Sequence, residues 1–358
     1  MWKKIISVVL VLGMIVSCAG CGDGSDSQNS TNSKISAEDA KNTEVLKVGE
    51  ETIMLDYMYL YTIQCIYTYG VDEETLTADM DNYKTQILAQ LRTDEIQYQY
   101  AKNNGIELTD DEKAEMDSVV ERYYKTFPEK FLEKYGISKD LVTELFYKQR
   151  CISKLIDETT KTLQEQYKKE AEKELKDTEF FDLYYLLFPT VEYKDGTPVT
   201  DEDGKYSSLS DEEKTKQKEL AEKAKERLEG GEDVENLAKE YKIEDYSEEL
   251  RSYKGAYADD LENLIKDLKS DEISEVYEDD LGYMVVKMIN SNDEEYKEYY
   301  IETAATEKAS EQLSTEKASW LKSVEVDEEK DMIGDIWNNL DISKIAKAME
   351  KEGILSGK

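Results

Sequence analysis

The sequence predicts an α+β chain, mainly helical in its first and last parts and mixed α/β in the middle, and three observations carry that reading. Apolar residues recur at helical spacing from about residue 54 to 175 and again after 293, whereas Phe180–Phe188 and Asp279–Met288 read as strands. Only 3 prolines stand among 36% charged residues, so long stretches carry no helix breaker. About 330 residues beyond a leader exceed one ordinary domain and suit two.

The leader comes first. Lys3 and Lys4 precede an uncharged apolar run, Ile5 to Val16, that is shorter than the roughly 20 residues a membrane-spanning helix needs. The run ends in Ile15-Val16-Ser17-Cys18-Ala19-Gly20-Cys21, which resembles a bacterial lipobox. Cys18, with Ile15 three residues before it, fits the strict pattern; Cys21, preceded by Ala19-Gly20, is the alternative, and an ordinary cleaved signal is a third reading. Residues 1–21 are therefore expected to be a lipoprotein signal peptide and lipobox. Residues 22–44, rich in Ser, Asn and Asp, are expected to form a flexible tether. The resemblance implies a lipid anchor on the outer face of the cytoplasmic membrane, attached to the bilayer without spanning it.

Charge excludes one class of partner. With 82 acidic and 46 basic residues the net charge is −36, and nucleic-acid binding needs the opposite sign. There is no histidine. Asp201, Asp203 and Gly204 suggest a calcium loop, but positions 5 and 6 counted from Asp201 fall on Lys205 and Tyr206, where such a loop needs an oxygen ligand and glycine. No metal or cofactor is expected. Cys65 and Cys151 pair only if tertiary packing brings them together.

The helical part opens with a hairpin, Leu46–Ile53, turning near Gly49. A helix over 54–69 follows, with Met58, Tyr61, Cys65 and Tyr69 on one stripe. The next helix carries Ile87, Leu91, Tyr98 and Ala101 and stops at Asn104-Gly105. Thr109-Asp110-Asp111-Glu112 is a capping box, and Met116, Val119, Val120, Tyr123 and Tyr124 form the apolar face behind it. Tyr135-Gly136-Ile137-Ser138 then caps a helix faced by Leu141, Leu145, Ile152, Leu155 and Ile156. Gly-Ile-Glu-Leu-Thr-Asp-Asp-Glu (105–112) and Phe131–Leu145, in this order, resemble the N-terminal domain of SurA-like and PrsA-like extracytoplasmic foldases. The resemblance implies a chaperone domain over 45–175 that cradles unfolded segments. Tyr59, Tyr67, Tyr98, Tyr123, Tyr124, Tyr135 and Tyr147 either line such a cradle or pack the core.

The middle section, 176–292, has a buried strand at 180–188 and an acidic hairpin over Val191–Leu209. Ser210-Asp211-Glu212-Glu213 caps a helix that ends at Gly230-Gly231, and a second short helix starts at Val234. Gly255-Ala256-Tyr257, Leu268-Lys269-Ser270-Asp271-Glu272-Ile273-Ser274 and the strand opening at Gly282 complete the order. Together these segments resemble the parvulin-type (PpiC-like) prolyl isomerase domain. The resemblance implies a site of two histidines, a Cys or Asp between them and an apolar slot for the proline ring. Here the histidine positions fall on Tyr185 and Met284, and the acid position near Asp245, with Tyr246 or Ser247 as alternatives. Tyr257 and Leu261 are the proline-pocket candidates, behind a turn several residues shorter than the family's. Either Tyr185 and Asp245 form a weak isomerase site, or Tyr185 and Met284 only pack the core.

Residues 293–327 read as a helix and a short strand, Val324–Val326; the resemblance to the foldases implies that they return to the chaperone domain beside the Leu46–Ile53 hairpin, so that the α/β domain is inserted into a mainly helical one. Residues 328–358 form an amphipathic tail, with Met332, Ile333, Ile336, Trp337, Leu340, Ile345 and Met349, that is expected to dock on the body. The resulting reading is a membrane-anchored extracytoplasmic chaperone or foldase for unfolded and secreted polypeptides, with weak or no isomerase activity. Its alternatives are an active histidine-free prolyl isomerase and a surface ligand-binding or adhesion lipoprotein.

Overall fold

The computed structural model describes residues 36–194, 196–257, 259–327 and 330–355, and of 259 and 260 the backbone alone. Cys18 and Cys21 lie outside the described residues. The chain divides into two units, one of Met1–Leu163 with Ser310–Lys358, the other of Gln164–Ala309. Both divisions fall inside long helices, whereas the sequence suggested boundaries at 175/176 and 292/293.

In the first unit, residues 36–44 are folded, although the tether was expected to reach 44. Ser36 caps the short helix α1 (Ala37–Ala40) by accepting from the Asp39 N–H, and Ala40 is buried. The hairpin is β1 (Glu44–Val48) with β2 (Glu51–Met54). Gly49 turns it at φ +59°, and a Cβ there would lie 2.6 Å from Gln99 Oε1. Gln99 in turn donates to the Val48 carbonyl at 2.8 Å. Helix α2 (Leu55–Tyr69) is buried well beyond the expected stripe, through Leu55, Leu60, Ile63 and Ile66 as well as Met58 and Tyr61, while Tyr69 is exposed. A short helix α3 (Glu73–Ala78), capped by Asp72, was not foreseen; its six residues are too few to show a period. Then come α4 (Met80–Asn103), α5 (Asp110–Lys125), α6 (Glu129–Tyr135) and α7 (Lys139–Glu174). The Thr109 capping box forms as read, with both reciprocal bonds present.

Asp94 on α4 is a buried carboxylate held by the Tyr61 hydroxyl (2.6 Å) and the Gln90 amide (2.9 Å). Burial pushes its pKa up to about 6. A carboxyl whose folded pKa lies above its unfolded value favours the protonated folded state. The contribution of Asp94 to the stability of the helical unit is therefore fully present below about pH 4 and is expected to fall by about 2–3 kcal/mol as pH rises through about 6. Urea titrations followed by the fluorescence of Trp320 and Trp337, both in this unit, check it. Cys65 and Cys151 are free thiols, and burial pushes Cys65 up to about 12.

The second unit is built on β3 (Phe180–Pro189), one of the two inner strands of a four-stranded sheet. The acidic hairpin is β4 (Tyr193–Lys194) with β5 (Thr197–Pro198). Helices α8 (Asp211–Glu229, with the Ser210 capping box) and α9 (Val234–Tyr241) follow. A 3-10 turn (Glu244–Tyr246) then leads into β6 (Glu248–Tyr253). The remaining elements are α10 (Asp259–Ile265), β7 (Tyr277–Glu278), β8 (Gly282–Asn290) and α11 (Glu294–Trp320). The strand order is β6-β3-β8-β7, all antiparallel. One face of the sheet packs Leu186, Phe188 and Val285 against Ala221, Ala224 and Leu237 of α8 and α9; the other packs Phe181, Leu183, Val286 and Met288 against Ile265 of α10. Asp271, in the segment resembling the family's Leu-Lys-x-Gly-Glu-Ile-Ser, takes a left-handed φ of +68° where that pattern has glycine.

At Gly282 a Cβ would stand 2.2 Å from the Phe188 carbonyl oxygen and 2.9 Å from its carbon, and backbone cannot swing aside. Gly282→Ala is expected to cost the sheet unit about 3 kcal/mol, the upper end for overpacking. Faster hydrogen exchange at the β3 amides, with Trp320 and Trp337 fluorescence unchanged, would show it.

After α11 the chain completes the first unit with α12 (Ile336–Asn339) and α13 (Ser343–Lys351). Val324–Val326 is not a strand. Asp331 and Ile333 bond to the hairpin backbone at Lys47 and Val45, while Val324, whose side chain lies beside Gly49, packs with Val326 against the core that holds the hairpin. The tail does dock: Trp337, Ile342, Ile345, Ala346, Met349 and Ile354 are buried in the same core as β1, β2 and α2. Lys347 pairs with Glu73 at 2.7 Å, and Lys84 donates to the Asn338 carbonyl.

Candidate functional site

Antiparallel register decides which side chains share a face of the sheet. Tyr185 on β3 lies opposite Glu248 of β6 on one side and Val286 of β8 on the other, and Leu187 lies opposite Met284. Side chains alternate along each strand, so Tyr185, Leu187, Met284, Glu248 and Leu250 face the same way. Helix α10 covers part of this face. Tyr185, Met284, Tyr257 and Leu261, together with Leu250, Leu264 and Leu268, border the buried cluster of Phe181, Leu183, Ile265, Val286 and Met288, all seven half-buried. Four of the five residues singled out from the sequence are thus brought into one apolar patch.

The fifth, Asp245, is not part of it. It is exposed in the 3-10 turn before β6. Of its alternatives, Tyr246 lies against Tyr193 with the rings tilted by 51° at 4.5 Å between centres, and packs with the core on the opposite face. Ser247 is buried, its hydroxyl accepting from the Leu187 N–H at 3.2 Å. The acid that meets Tyr185 is Glu248, whose Oε1 accepts from the Tyr185 hydroxyl at 3.0 Å. Only the pairing of Glu248–Tyr253 with Phe180–Tyr185 would have pointed to it.

Burial, and then the Glu248 bond, raise the Tyr185 pKa far above that of an ordinary phenol. The hydroxyl therefore remains a proton donor at neutral pH. Met284 supplies only a thioether, a weak acceptor that donates nothing. The turn bearing Tyr257 is tied to α10 by Glu262, whose Oε1 accepts from the N–H groups of Gly255 (2.9 Å) and Tyr257 (3.2 Å). The patch offers apolar area and one committed hydroxyl. Among the described residues no group of three or more Cys, Asp or Glu is placed to hold a metal, and no helix is long and apolar enough to cross a membrane.

Residues 202–300 match the model of the PPIC-type PPIase domain. The sheet unit carries a PPIC-type domain. The matched range holds Asp245, Tyr257, Leu261 and Met284 and begins after β3, which bears Tyr185. Solved structures similar over most of the chain include the foldase protein PrsA of Lactococcus lactis, at 18% identity over 80% of this chain and 96% of that one, with a TM-score of 0.35. PrsA of Bacillus subtilis is 15% identical over 83% and 98%, with a TM-score of 0.26. A structure described among the SurA-like chaperones of Campylobacter jejuni is 14% identical over 80% and 98%, with a TM-score of 0.27. No curated protein matches the chain.

Proposed function

We propose that the chain is an extracytoplasmic foldase, anchored through lipid at Cys18 or Cys21, that holds unfolded secreted polypeptides, and that its PPIC-type domain binds proline-containing segments with little or no isomerisation. The observation that carries this is the composition of the Tyr185–Met284 patch. Rotating a peptide bond means breaking amide resonance against a barrier of about 18–20 kcal/mol, and a catalyst lowers it with hydrogen bonds that favour the twisted amide. Here the apolar wall of Tyr257, Leu261 and Leu250 is in place, whereas one polar position is methionine and the other hydroxyl is already bonded to Glu248. Such a surface suits holding better than turnover. The seven tyrosines singled out from the sequence as a cradle, Tyr59, Tyr67, Tyr98, Tyr123, Tyr124, Tyr135 and Tyr147, weigh less, because all are half-buried or buried among neighbours such as Phe127, Phe131 and Phe146.

One observation favours a second reading, an active histidine-free isomerase: the Tyr185–Glu248 pair is a hydrogen-bonded donor and acid beside an apolar wall. Holding is tested by aggregation of a chemically unfolded client in the presence of the full-length chain. Suppression at near-equimolar ratio is expected; failure with every client, beside tight binding of one defined ligand, would point to a ligand-capture lipoprotein instead.

A further inference from the structure

The sheet of the second unit has an open edge. β6 is the outermost strand on one side, paired only with β3. Lys254 N–H bonds to the Glu179 carbonyl, and in an antiparallel ladder hydrogen-bonded pairs alternate with non-bonded ones. The bonded pairs are therefore Phe181 with Ser252, Leu183 with Leu250 and Tyr185 with Glu248. The N–H and C=O groups of Glu249 and Arg251 point away from β3. Among the described residues nothing bonds to them, and both residues are exposed.

Two further features converge on this edge. On its patch side, Leu250 continues the apolar surface of Tyr185, Tyr257 and Leu261. At its entrance, Glu244, Asp245 and Glu248 are exposed carboxylates with no cationic partner among the described residues, whereas Arg251 is engaged by Asp182 at 3.2 Å and Glu249 at 3.4 Å. The local field is therefore negative, in a chain of net charge −36.

We infer that β6 is a docking edge for an extended, Lys/Arg-bearing segment of another polypeptide, which adds as a strand outside Glu249 and Arg251. Backbone pairing supplies affinity without regard to sequence. On the patch side the segment's side chains pass Leu250, Tyr257 and Glu248, so the aliphatic stems of Lys or Arg lie along the apolar surface while their charges reach Glu248, with Glu244 and Asp245 at the entrance. A second copy of this chain, itself of net charge −36, is disfavoured as occupant by like-charge repulsion. The inference rests on the foldase reading and names the chemistry of its client.

The test uses the full-length chain and a fluorescent peptide alternating Lys and Val, compared with its Glu-for-Lys counterpart by anisotropy. The Lys peptide is expected to bind at least about tenfold more tightly, with the difference shrinking as salt screens the field. N-methylation of one alternate set of peptide amides is expected to weaken binding about tenfold, and of the other set hardly at all, since only one set faces β6. Glu249→Pro removes an outward N–H without a bond to β3 and is expected to weaken binding comparably; the N-methylated peptides give the same answer if that variant fails to fold. Equal binding of the Lys and Glu peptides, or equal effects of both methylated sets, would overturn the inference. Aggregation suppression with no such preference leaves the foldase reading standing and this edge wrong. Peptide pairing without suppression supports the edge and removes the foldase reading.

Discussion

Tyr185→His combined with Met284→His is expected to raise kcat/KM for cis–trans exchange of a proline peptide by about 10²-fold, the usual contribution of positioned proton donors and acceptors. The two positions sit on adjacent strands of one face, Met284 opposite Leu187 and Tyr185 two residues before Leu187 on β3. The apolar wall they need is present in Tyr257, Leu261 and Val286. What the natural chain lacks there is a free hydrogen-bonding pair, and two imidazoles would supply it. Either single variant should give a small fraction of the gain, because the effects of groups acting as a unit are not additive. A double variant that folds and binds the peptide but turns it over no faster would place the deficit elsewhere, in the short turn between Tyr257 and Leu261.

Lys148→Met is expected to destabilise the helical unit by about 3–5 kcal/mol, because it strands a buried charge. Lys148 on α7 bonds both oxygens of Glu95 on α4, at 3.0 and 3.1 Å, and the Glu95 side chain is only 2% exposed. Its ammonium also lies 4.7 Å from the Tyr57 ring centre and 5.5 Å from that of Tyr98, with Glu144 at 3.1 Å. Burial already raises the Glu95 pKa despite the lysine. Without the lysine that carboxyl titrates higher still. A folded pKa above the unfolded one means stability present at low pH and lost as pH rises, so the variant should regain stability on acidification. Adding Glu95→Leu should recover much of the loss at neutral pH, since a well-packed apolar pair replaces an ion pair at little cost. Urea unfolding followed by Trp320 and Trp337 fluorescence reads both effects.

Features set by a few adjacent residues were legible in the sequence. The capping boxes at Thr109 and Ser210 form with the bonds their residue types dictate, and the apolar run in Gly282–Asn290 makes a strand whose two faces each reach a core, Val285 on one and Val286 and Met288 on the other. Features set by pairing between distant segments were not. Asp245 stands a few residues from the β6 carboxylate that does reach Tyr185, and only strand register distinguishes it from Glu248. Val324–Val326 has the alternation of a strand, yet Asp331 and Ile333 reach the hairpin backbone first and leave Val324 a side-chain contact. The amphipathic tail announced that it would dock, but its seat against β1, β2 and α2 required the fold itself.

Exchange NMR on a short proline peptide with the full-length chain tests the central claim most directly. The account predicts peptide signals that shift or broaden on binding while cis–trans exchange stays near the uncatalysed timescale of tens to hundreds of seconds. Exchange accelerated about 10²-fold or more, and lost in Tyr185→Phe and Glu248→Gln, would contradict it.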